Sequence, residues 1–122
     1  VPFDNASMEH DAGIVASRAA ARAVAERGAS LSGSAGEVEL KGAVDSVVAA
    51  PIGTGRWQVN TTVRVELHDP ARGGRLVAHA TVADTEQYTS GDDVEGSDAS
   101  RRVATIRLIE RAVATAIDRL AP

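Results

Sequence analysis

Between Trp57 and Leu67 the chain alternates. Trp57, Val59, Thr61, Val63, Val65 and Leu67 take the odd positions, and Gln58, Asn60, Thr62, Arg64 and Glu66 take the even ones. A period of two puts one apolar and one wet face on a strand, and most of the odd residues are β-branched or aromatic. Turn residues flank the run at Pro51–Gly55 and at Asp69–Gly74. The pattern predicts a half-buried antiparallel strand with a hairpin at each end.

Other segments group around it. Val1–Phe3 reads as a strand stub, followed by turn and cap residues Asp4, Asn5 and Ser7. From Glu9 or Asp11 to Arg27, Ala12, Val15, Ala16, Ala19, Ala20, Ala23 and Val24 recur at helical spacing, and Gly28 is the expected terminator. Ser30–Gly36 reads as a loop. A second strand is expected from Glu37 to Val48, with Val38, Leu40, Gly42, Val44 and Val48 inward. Arg75–Tyr88 is expected as the fourth, with Leu76, Ala78, Ala80 and Val82 inward and either a bulge or an end fully in solvent where Asp84 and Glu86 break the pattern. After an acidic loop from Thr89 to Gly96, Ser97 or Ser100 caps a last helix. Its stripe is Ala99, Val103, Ile106, Ile109, Val113, Ile117 and Leu120, with Leu108 on the opposite, outward side.

The order β-α-β-β-β-α predicts an α/β two-layer sandwich. Both helices cover one face of a four-stranded mixed sheet, and the first two strands run parallel. The expected core joins Leu40, Val44, Val59, Val63 and Val65 to Ile106, Ile109 and Val113. At 122 residues this is a single domain over 1–122.

Composition removes several function classes. The net charge of −4 and 2% aromatic content argue against a nucleic-acid partner. There is no cysteine, hence no disulfide, thiol nucleophile or cysteine metal site. His10-Asp11 and His68-Asp69 resemble base–orienter pairs but have no nucleophile to serve. His10, His68 and His79 lack metal-ligand spacing, and Asp92, Asp93 and Glu95 lack the alternation of a calcium loop. No catalytic residue, metal or cofactor is expected. What remains is a cationic spot on the outward sheet face: Lys41, Arg64 and His79, with Arg64 and His79 expected almost opposite each other. Pairing with Glu39, Asp45 or Glu66 is its structural alternative. Arg56 and Arg72 at the hairpin tips, and Leu108 on the last helix, complete the candidate contact residues.

Three stretches resemble the LPS-assembly lipoprotein LptE family: Val1-Pro2-Phe3-Asp4-Asn5 with the alanine-rich helix, Val63-Arg64-Val65-Glu66-Leu67-His68-Asp69 in the meander, and Ala99-Ser100-Arg101-Arg102-Val103-Ala104 opening the last helix. The resemblance implies a non-enzymatic lipoprotein on the periplasmic side of the outer membrane. It would plug an LptD-type β-barrel and assist lipopolysaccharide transport. Its membrane contact would be a lipid anchor on an upstream cysteine, behind a signal peptide. The same opening also resembles periplasmic lipoproteins of the curli-secretion and penicillin-binding-protein-activator type, which would make this a secretion component or an enzyme regulator.

Overall fold

The computed structural model describes residues 3–7, 9, 11–32, 39–90 and 94–120. Strand β1 (Phe3–Asn5) leads into helix α1 (Ala12–Ser32), then β2 (Glu39–Gly53), β3 (Arg56–Asp69), a 3-10 turn (Pro70–Arg72), β4 (Arg75–Thr89) and helix α2 (Val94–Leu120). The sheet order is β1-β2-β3-β4, with β1 parallel to β2 and the rest an antiparallel meander. The two-layer α/β architecture and its element order are as the sequence predicts.

The helices pack against each other and on one sheet face. Ala12, Ala16, Ala19, Ala20 and Ala23 of α1 are buried, and such small side chains let a helix lie close. The main core adds Phe3, Leu40, Val44, Val63, Val65, Leu67 and Val82 from the sheet and Ile109, Val113, Ile117 and Leu120 from α2. Burying each of the larger of these stabilises the fold by about 1.5–3 kcal/mol. Ser17 ties the N-terminal strand down, accepting from the Phe3 amide at 3.0 Å and donating to the Gly13 carbonyl at 2.8 Å.

Several expectations are corrected. Helix α1 continues through Gly28 to Ser32. The β2–β3 register slips between Val44 and Ser46, which reverses the alternation beyond it. Val47 therefore turns inward, and Val48, expected inside, is 55% exposed. The ladder between β3 and β4 is regular at Asp84 and Glu86; its irregularity lies at Leu67/His68, near Leu76, which is exposed. Helix α2 is rotated from the predicted stripe: Val103 is 54% and Ile106 36% exposed, while Leu108 is fully buried. Leu108 forms a second small core with Val59 and Ala104, with Val47 and Tyr88 against it. A contact role for Leu108 on the outward surface is thereby excluded.

The free edge of β4 is closed by α2. Arg111 donates to the Thr85 carbonyl at 2.6 Å and Arg119 to the Thr81 carbonyl at 3.3 Å. Arg111 also pairs with Asp84 at 2.8 Å and Glu86 at 2.7 Å, and Arg107 reaches Glu86 at 3.7 Å. Those two acids break the β4 pattern because they are the counter-ions of this arginine row. An unguarded edge of 15 residues would be a template for another strand. On the other side β1 pairs only with Gly42–Val44, and Pro51 further along β2 supplies no N–H to an incoming strand.

Candidate functional site

The outward sheet face carries the cationic candidates in rows set by the register. Lys41 faces Glu66, which faces His79; Ala43 faces Arg64, which faces Thr81. Arg64 and His79 are therefore diagonal neighbours rather than opposite each other. Arg64 donates to both carboxylate oxygens of Asp45, at 3.3 and 3.4 Å. That pairing raises the guanidinium pKa and neutralises the strongest cation of the patch. Asp4, Lys41, Gly42, Ala43, Arg64 and Glu66 line a depression of about 100 Å³, too small for more than a few atoms. The patch is a charge-paired surface with alternating signs.

The other two arginine candidates lie apart from it. Arg56 is at the β2–β3 tip and donates to Gln87 at 3.0 Å. Arg72 is at the opposite end of β3 and pairs with Asp69 at 3.5 Å. Thirteen strand steps separate the two ends, about 44 Å at the usual rise.

His68 does structural work. Its Nδ1 lies 2.9 Å from the Gly74 carbonyl and its Nε2 3.2 Å from Glu66. Two acceptors favour the doubly protonated ring, so the pKa is raised, first by the Gly74 carbonyl and then by Glu66. Its sequence neighbour Asp69 points elsewhere, accepting from the Ala71 amide at 3.0 Å. Because the folded pKa is raised, the stability this contact adds is fully present below the unfolded value near 6.5 and is lost as pH rises through the folded value. An NMR titration is expected to place the His68 midpoint above that of a denatured control. His68→Gln should remove that part of the pH dependence of unfolding. Among the described residues no group of three acidic or histidine side chains could hold a metal. His10 lies outside the described residues.

Two features escape the strand-by-strand reading. A cleft of about 430 Å³ runs between the helices over Ala12, Val15, Ile106 and Ile109, with Glu9 and Asp11 on one wall and Arg101 and Arg102 on the other. Arg101 pairs with Glu9 and Asp98, and Arg102 with Asp98, so both arginines of the cleft already have counter-ions. The second is the stacking of Trp57 on Tyr88, centroids 6.4 Å apart and 17° between planes, at the β2–β3 end of the sheet. Their pairing follows from register, which composition does not show. The arginine row at 107, 111 and 119 did carry a signal: steps of four and eight residues keep these side chains on one flank of a helix.

No family model matches the chain, and no curated protein does either. Solved structures do share the fold. One is a protein from Caulobacter crescentus designated a lipoprotein, 19% identical, with a TM-score of 0.69 over 95% of this chain and 86% of that one. A second is PelC from Paraburkholderia phytofirmans, solved as a dodecamer, 20% identical, with a TM-score of 0.67 over 99% of this chain and 85% of that one. A third is a minor lipoprotein of Acinetobacter baumannii, 13% identical, with a TM-score of 0.62 over 98% and 88%. At these identities the common property is the fold, a fold used by bacterial lipoproteins.

Proposed function

We propose that this domain is the folded part of a lipid-anchored envelope lipoprotein without catalysis of its own, acting as an LptE-type plug of an LptD-type β-barrel in lipopolysaccharide assembly. The observation carrying this reading is the uncovered face of a meander whose strands run 14–15 residues. Such a face is long, polar and charge-paired, and barrel lumens are polar. The lipoprotein folds that match nearly the whole chain support the coarser half of the reading, and the LptE-like stretches support the finer half. A second reading, a homo-oligomeric secretion component, takes its role from the curli-secretion resemblance and its oligomer from the likeness to PelC, solved as a dodecamer.

Co-expression with the barrel protein of the same organism, followed by affinity purification and light scattering, separates the two. A one-to-one complex is expected for the plug; a large homo-oligomer without the barrel supports the second reading and overturns the plug. Arg64→Glu tests the patch within the first reading. Its pair with Asp45 is exposed, so the change in stability should stay within about 1 kcal/mol. Barrel or lipopolysaccharide binding is expected to weaken. Unchanged copurification with the barrel would remove Arg64 from the contact surface.

A further inference from the structure

The β2–β3 end of the sheet is unlike the rest of the surface. From Ser46 to Val63 the chain holds one charged residue, Arg56, although a quarter of all residues are charged. Val48 is 55% and Ile52 44% exposed, and Ala49 and Pro51 are exposed as well. The register sends Val48 to the outward face and Ala49 and Pro51 to the helix-side face, beyond the helices' cover. The molecule's one tryptophan and one tyrosine stack at this same end. The tip backbone is provided for: the Gly55 carbonyl accepts from the Ser90 amide at 2.9 Å and the Ser90 hydroxyl at 3.2 Å. Glu86, the described acid nearest to Tyr88 in sequence, is held by Arg107 and Arg111. Asp92 and Asp93 lie outside the described residues.

We infer that the β2–β3 tip inserts into the interfacial layer of a lipid bilayer. A protein partner docking on one side would cover one face of the hairpin and leave the other wet. Exposed apolar side chains stand on both faces of this hairpin, Val48 outward beside the uncharged Gln58 and Asn60, and Ala49 and Pro51 on the helix side, so an environment that surrounds the tip suits it. Trp57 and Tyr88 have the amphipathic rings that settle at headgroup depth. Arg56 stands at the tip with a side chain long enough to reach back to a phosphate. Ile52 and Val48 supply the aliphatic surface for the acyl boundary, and satisfied carbonyls lower the cost of leaving water.

Trp57 is its own reporter, because no other tryptophan contributes to the emission. The anchor-free chain is titrated with vesicles of phosphatidylethanolamine and phosphatidylglycerol. A blue shift of Trp57 emission and co-sedimentation are expected, persisting in about 0.5 M salt, where exposed charges are screened. Val48→Asp and Ile52→Asp lie outside the core, so their circular dichroism should match the parent. Each is expected to raise the half-saturating lipid concentration about tenfold or more. Unchanged emission with vesicles overturns the inference, as does parental lipid binding by both variants. A blue shift that grows with protein concentration in the absence of lipid also overturns it, assigning the tip to a second copy of the chain.

Discussion

Leu108→Asp is expected to abolish folding. Leu108 has no exposed surface and sits where α2 meets Val59 and Ala104. A carboxylate there would lose its hydration with no described cation positioned to replace it. Leu108→Ala, which leaves a cavity but no charge, should cost about 2–5 kcal/mol. The aspartate should exceed that range, and domains of this size have only about 5–15 kcal/mol in total. Urea titration followed by circular dichroism should show a cooperative but earlier transition for the alanine variant and none for the aspartate. Val103→Asp, about 1.4 helical turns away on the exposed side, should lie close to the parent. A parental midpoint for Leu108→Asp would mean that α2 packs with the opposite face inward.

Helix α2 was legible in order, but it starts at Val94, ahead of the expected caps Ser97 and Ser100, and the reason its rotation was missed is physical. Its apolar residues cover more than one stripe: Val103 and Ile106 share spacing with Ile109 and Val113, and so do Ala104, Leu108 and Ala112. Periodicity alone does not choose between two overlapping stripes. The choice falls to the sheet, where Val59 and Val47 leave a hollow that Leu108 fills. The strands were legible because alternation is strict in β3, which pairs with a neighbour on each side. Alternation misled in β2, where the slip after Val44 exchanges faces, and a slip leaves no mark on the residues that undergo it. The candidate cations were placed on the correct face by parity. Asp45, which pairs with Arg64, was among the partners expected; the diagonal placing of Arg64 and His79 was not, because it depends on the register of β3 and β4.

Gly42→Val is expected to release the N-terminal strand. A Cβ at Gly42 would stand 2.4 Å from the Phe3 ring, far inside any contact distance. Gly42 is opposite Phe3 in the parallel ladder, and its missing side chain is the space the ring occupies. The ring would have to swing out, losing about 1.5–3 kcal/mol of burial, and strain among the remaining neighbours adds to that. A fall in the unfolding midpoint is expected, together with faster amide exchange at Phe3 and Asn5 and little change at Val63 and Val65. Phe3→Ala in the Gly42→Val background should then cost almost nothing further, since the ring is already displaced. If the two losses add in full, Phe3 and Gly42 are independent, and the glycine is there for another reason.

The arginine row along β4 has a consequence for how the molecule behaves in solution. The described groups set against this edge are arginines, held there by exposed ion pairs and hydrogen bonds to strand carbonyls. Arg111 holds the Asp84 carboxyl below its ordinary pKa, so the contribution of that pair is present above the unfolded carboxylate value and is lost as pH falls through the folded one. The Asp84 pair thus persists to lower pH than an unpaired aspartate would allow. Concentrated salt loosens the same contacts at neutral pH. Resistance to pairing at this edge is therefore expected to fall in acid and in concentrated salt, with light scattering as the check.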